Sequence, residues 1–199
     1  MDFSSGRIAQ KQRTRKALLS AAREMLSRNA EATVASAADA AEISRATAYR
    51  YFSTNDALIR EAVLETDWSA PEEVVGDAVS VHERVERVHR YLFAFTRQHE
   101  SAHRLFLAKA LEDWVAEGGK PKSQLRGARR IPMFAFALEP LRGSLSTAAL
   151  GRLVLALSAA SVIEAYIALK DVCSLRDEDT DEISLATILT ILNQGIRKR

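Results

Sequence analysis

The 199 residues carry a formal net charge of +2, 47% hydrophobic residues, 8 Gly, 4 Pro and a single Cys. One cysteine, Cys173, excludes an intrachain disulfide scaffold. So few Gly and Pro among long Ala, Leu, Arg and Glu stretches argue for an all-α fold over a β-rich one.

The charge is unevenly placed. Residues 7–28 hold seven bases (Arg7, Lys11, Arg13, Arg15, Lys16, Arg23, Arg28) against Glu24, while residues 171–182 hold six acids against Arg176. Positive charge at the N-terminal end is what a phosphate backbone would need.

Residues 1–10 read as a flexible basic arm without an apolar signal core. Arg7, with Lys11, Arg13 and Arg15 behind it, is within reach of a DNA backbone or minor groove. The first helix is expected over 11–28, where Leu18, Ala21, Ala22, Met25 and Leu26 form one apolar face. Asn29 is a plausible left-handed cap. Residues 34–41 and 45–51 then read as two short helices joined by a tight turn at Glu42-Ile43. Ser44 is an N-cap whose hydroxyl accepts an orphan backbone N–H. Ala38, Ala41 and Ile43 face inward with Ala48 and Phe52, and the small residues let the helices cross closely. This is a helix-turn-helix, with 45–51 suited to a DNA major groove.

The residues of that second helix have matching chemistry. Arg45 can donate two bonds to guanine O6 and N7, Thr47 offers a hydroxyl and a methyl, and Ala46 can touch a thymine methyl. Thr33, Ser44, Tyr49 and Tyr51 are placed to donate to phosphates, which set register without reading sequence. Arg50 points outward on the same helix.

The stretch TVASAADAAEISRATAYRYFSTNDAL, residues 33–58, resembles the DNA-binding segment of the TetR-type transcriptional regulators. The resemblance is carried by Thr33-Val34, Ala37-Ala38, Ala41-Glu42-Ile43-Ser44, Thr47-Ala48-Tyr49, Tyr51-Phe52 and Asp56-Ala57-Leu58, and extends over roughly residues 15–59. Three positions depart from the family pattern. Glu42 stands where a turn Gly is usual, Ala37 where a larger aliphatic residue is usual, and Asn55 where Lys is common. The resemblance implies about nine helices, a dimer, and a ligand pocket in the C-terminal part.

A fourth helix is expected from an Asn55-Asp56 cap to about residue 67, and Ser69-Ala70-Pro71 breaks the pattern. The expected organisation is a helix-turn-helix domain over 1–66 and a helical ligand-binding and dimerisation domain over 67–199, with the fourth helix as the link. Helices follow over 77–99 (Val81, Val85, Val88, Leu92, Phe95), 101–117, 123–141 with a kink or split at Pro132, 147–172 and 180–196. The last two are so apolar that pairing with a second copy is expected to cover them. Ser158, Ala159, Ala160 and Ser161 are small enough for close approach. Glu164 interrupts the run over 153–169, which reads as a buried helix and not a membrane span.

His99-Glu100-Ser101-Ala102-His103 matches H-E-x-x-H, which in zinc hydrolases needs a continuous helix and a third ligand. Here it falls at an expected helix break with no evident third ligand, so no catalytic or metal-binding residue is assigned. The implied effector pocket draws on Phe93, Phe106, Phe134 and Glu164, since a buried carboxylate needs a partner. Lys120, Lys122, Arg126, Arg129 and Arg130 read as a solvated helix start, or alternatively as a loop attracting an anionic effector.

The expected protein is a cytoplasmic, homodimeric, ligand-responsive DNA-binding regulator, a repressor acting on a palindromic double-stranded operator. No cofactor, enzymatic activity or membrane partner is expected. The alternatives are a metal-dependent hydrolase built on His99, Glu100 and His103, or a helical adaptor that has lost DNA binding.

Overall fold

The computed structural model describes residues 3–28, 30–64, 68–119 and 129–197. Its α-helices, in chain order, are α1 (Phe3–Ser27), α2 (Val34–Ala40), α3 (Arg45–Tyr51), α4 (Asn55–Leu64), α5 (Pro71–Val75), α6 (Val81–Gln98), α7 (Glu100–Ala116), α8 (Arg130–Ala137), α9 (Thr147–Ala160), α10 (Ile163–Ile167) and α11 (Asp177–Arg197). No strand occurs among the described residues, so the fold is all-α. The chain divides into two compact units, one of Met1–Asp67 with His99–Arg126, the other of Trp68–Gln98 with Gly127–Arg199. The division drawn from sequence at 66–67 assigned all of 67–199 to one domain; by compactness, α7 belongs with the helix-turn-helix unit.

The first unit is built on α1. Leu18, Ala22 and Leu26 are fully or almost fully buried against Val34, Ala37 and Ala38 of α2, Ala48 and Phe52, Leu58 and Ala62 of α4, and Ala102 and Phe106 of α7. Each Leu or Phe so buried contributes about 1.5–3 kcal/mol. The helix starts at Phe3, earlier than the arm-like reading of 1–10 anticipated. Ala9, Gln10, Lys11, Gln12 and Arg13, exposed and of good helix propensity, continue α1 without needing a buried face. On α7 only Ala102, Phe106 and Ala110 are buried, whereas Leu105, Leu111 and Val115 are 50%, 57% and 70% exposed. Its apolar composition is therefore not a guide to its core face.

In the second unit, Val85, Val88 and Leu92 of α6 are buried as the periodicity predicts, against Met133, Phe134 and Ala137 of α8, Leu153 and Leu157 of α9, and Ile188 and Leu192 of α11, and Phe95 is buried beside the Trp68 ring. Two features escaped the periodic reading. Pro71 does not merely break a helix: it occupies the first turn of α5, where its missing N–H is no loss. The expected helix over 147–172 is interrupted, with Ser161 and Val162 leaving helical geometry between α9 and α10 (Val162 φ −126°, ψ 164°) and a π-helical turn over Ala168–Val172. The interruption lies beside a buried polar bridge. His89 of α6, 1% exposed, hydrogen-bonds through Nδ1 to Ser161 Oγ at 3.0 Å and through Nε2 to Ser184 Oγ of α11 at 3.1 Å. Gly195 permits α11 to approach α9, since a Cβ there would lie 2.6 Å from Leu153 Cδ1.

The expected helix over 123–141 is described from Arg130. Pro132 sits in the first turn of α8, and Pro140 lies in a 3₁₀ turn, Glu139–Leu141. Asn29, Lys120, Lys122 and Arg126 lie outside the described residues. Among the described residues no single helix is long and apolar enough to cross a membrane; α9 and the segment after it reach that hydropathy only together, bent by 46°.

Candidate nucleic-acid interface

The helix-turn-helix is assembled by local hydrogen bonds that its sequence specifies. Thr33 is the N-cap of α2: its Oγ1 accepts from the Ser36 amide at 2.9 Å, and Ser36 Oγ accepts from the Thr33 amide at 2.9 Å. This reciprocal arrangement satisfies two orphan donors. α2 ends in a Schellman motif, with Ile43 N–H donating to Ala38 O at 2.9 Å and Glu42 N–H to Asp39 O at 3.2 Å. Glu42 takes the left-handed position of that motif, φ +55°, where glycine is usual. The turn thus forms without glycine, at the strain a Cβ brings there. Ser44 then caps α3, its Oγ accepting from the Thr47 amide at 3.3 Å and bonding Thr47 Oγ1 at 2.8 Å.

These contacts sort the residues expected at DNA. Arg45, Ala46, Tyr49 and Arg50 are exposed on α3, and Ser44 is exposed at its start. Thr47 and Tyr51 are half-buried, Tyr51 packing on the core around Phe52. Thr33 is half-buried with its hydroxyl engaged in the cap, and the hydroxyls of Ser44 and Thr47 are engaged with each other. Arg15, expected among the backbone-reaching bases, is instead paired with Glu61 of α4 and lies over the Phe52 ring, 5.9 Å from its centroid.

Two residues of this surface were not anticipated in these roles. Asp39, at the end of α2, accepts two bonds from Arg45: Nε to Oδ1 at 3.1 Å and Nη2 to Oδ2 at 2.6 Å. The Arg45 guanidinium holds the Asp39 carboxyl below its ordinary value, and the carboxylate raises Arg45 in turn. Both side chains are more than half exposed, at 65% and 56%. The only sequence signal was an acid six residues before a base across a tight turn. Asn55 is the second. Thr54 caps α4, its Oγ1 accepting from the Ala57 amide at 3.1 Å. Asn55 Oδ1 instead accepts from the Val34 amide, in the first turn of α2, at 2.9 Å.

α4 is also tied to α7 within the same unit. Arg60 donates to Asp113 at 3.0 Å, and Lys109 lies 3.3 Å from both Asp56 and Asp113. Beside these pairs is a pocket of about 210 Å³ with Ile59, Leu105 and Phe106 in its lining. Phe106 therefore belongs to the first unit. Phe93 lines a separate cavity of about 140 Å³ in the second unit, with His89, Arg97 and Asp181. Phe134 is fully enclosed in the second core, and Glu164 is half-buried in the first turn of α10. Of the four residues expected at an effector pocket, Phe106 belongs to the first unit and Phe93, Phe134 and Glu164 to the second.

His99 precedes α7 in non-helical geometry (φ −118°, ψ 29°), while Glu100 and His103 lie on the helix. The two imidazoles are nearly perpendicular with centroids 6.4 Å apart. Among the described residues no group of three or more His, Cys, Asp or Glu side chains is placed to hold a metal ion.

Comparison with known proteins adds no relative: no family model, no curated protein and no solved structure matches the chain.

Proposed function

We propose that this protein is a DNA-binding transcriptional regulator that inserts α3 into the major groove. The observation that carries this reading is the combination of a capped, tightly turned α2–α3 pair with the exposed Arg45, Ala46, Tyr49 and Arg50 on α3. An exposed helix with donors in its first turns can meet base edges and phosphates together. The resemblance of residues 33–58 to the TetR-type regulators supports the same reading and suggests a dimeric repressor. Two copies would present two recognition helices to a palindrome.

Regulation by a small-molecule effector is part of the proposal. Asn55 joins α4 to the start of α2, and the Arg60–Asp113 and Lys109–Asp56 pairs join α4 to α7. A ligand that favours one position of α7 would therefore bias the helix-turn-helix, provided it binds the two states with different affinity.

The test is binding to the DNA upstream of the protein's own coding sequence, by gel shift across a salt series. A complex whose affinity falls with salt at a log–log slope of about −0.9 per phosphate contact, and which Arg45→Ala weakens, supports the reading. Absence of binding to that DNA and to random duplex alike would overturn it.

A further inference from the structure

Asp39 and Arg45 form a forked pair on the face that α3 offers to DNA. The two bonds use one edge of the guanidinium, Nε and one hydrogen of Nη2. Arginine has five N–H donors in a rigid plane. The pair leaves Nη1 and the second hydrogen of Nη2 free along the adjoining edge. That edge presents two parallel donors, which is what guanine O6 and N7 accept. Arg45 is otherwise a long, flexible side chain that loses much rotamer freedom when it binds. A carboxylate fixing one edge removes part of that loss in advance, and does so only for the orientation in which the other edge faces out.

Asp39 also has a second effect. An exposed carboxylate beside the recognition helix repels phosphates, and does so on every sequence alike. Its only side-chain partner among the described residues is Arg45, across the turn held by Glu42 and Ile43. An exposed ion pair contributes little to folding, so this pair is not needed to hold α2 against α3.

We propose that Asp39 is a specificity-determining residue: it positions Arg45 to read a guanine through the free guanidinium edge and suppresses binding to unrelated sequence. This rests on the DNA-binding reading above. Asp39 touches no base in this role; it acts through Arg45.

The experiment uses the full chain and a pool of duplexes with randomised centres. Wild type, Asp39→Ala and Arg45→Ala are each carried through selection. The selected duplex and its single-base variants are then titrated, and a thermal melt checks that each variant is folded. Wild type is expected to select a motif with a guanine that Arg45→Ala no longer selects. Asp39→Ala should reduce discrimination at that guanine by about five- to tenfold, leave the other positions unchanged, and bind unselected duplex more tightly than wild type. Wild-type discrimination at that guanine in Asp39→Ala overturns the proposal, as does an equal loss at every position. If Arg45→Ala selects the wild-type motif, Arg45 is not the reader and the proposal falls while DNA binding stands. If wild type binds no duplex, both fall.

Discussion

The backbone amide of Val34 donates to Asn55 Oδ1 across 21 residues of sequence. The donor is one of the orphan N–H groups at the start of α2, and the acceptor is the first residue of α4. Thr33 satisfies a second orphan, so the start of the helix-turn-helix is closed from two sides. Replacing Asn55 by Ala should lower stability by about 1 kcal/mol, the usual cost of a lost cap. Asn55→Asp keeps the acceptor, adds charge favourable to a helix N-terminus, and should retain stability. Urea unfolding of the three proteins measures this; an Asn55→Ala midpoint equal to wild type would remove the structural role.

Glu42 sits at φ +55° in the Schellman position. A Cβ is unfavourable there and glycine is not, although glycine costs more backbone entropy on folding. The net expectation for Glu42→Gly is a gain of about 1 kcal/mol, seen as a higher melting temperature. A lower one would mean that Glu42 makes a compensating interaction in the native state.

Burial of His89 pushes its imidazole down to about 4. In the bridge one ring nitrogen donates and the other accepts, so the folded protein holds it neutral between Ser161 and Ser184. Above the unfolded value of about 6.5 both states are neutral and the contribution is complete. As pH falls from there towards 4, only the unfolded chain takes up the proton, and stability is lost, by on the order of 3 kcal/mol in all. Carboxylates titrate nearby in pH, so the diagnostic quantity is the difference between wild type and His89→Gln. That difference, from urea unfolding between neutral pH and pH 4, should shrink with acidity. A constant difference would show that His89 is not held neutral.

Arg50 and Arg45 should separate in DNA binding. Arg50 is exposed near the end of α3; with α3 in a major groove as proposed, it would meet a phosphate and not the base edges met by the first turn. Arg50→Ala should weaken all duplexes about equally and reduce the salt slope by about one. Arg45→Ala should instead change which base is preferred. Competition titrations at several salt concentrations read both. A changed base preference in Arg50→Ala would assign it to the base-reading group.

Much of the molecule is local, and that part was determined by sequence alone. Thr33 and Ser44 cap helices because a hydroxyl three residues from an amide finds it without help from the rest of the chain. The helical spacing of Ala38, Ala41, Ile43, Ala48 and Phe52 turns them to the core for the same reason, Ala41 and Ile43 only partly buried, since helical period is a short-range property. The all-α class follows from such local preferences summed along the chain. Tertiary structure alone decided what distant residues do to one another. Asp39 was an acid near a base until the turn brought the two together. Asn55 was a cap for its own helix until Val34 offered a better donor. The expected helix over 147–172 divides beside Ser161, which bonds His89, a residue 72 positions earlier. Phe93 and Phe106 belong to different units, and the apolar pattern of their helices is identical for either assignment. Side-chain periodicity records that a face is buried, not against what, and the partner is set by packing and by hydrogen bonds that need both groups in place.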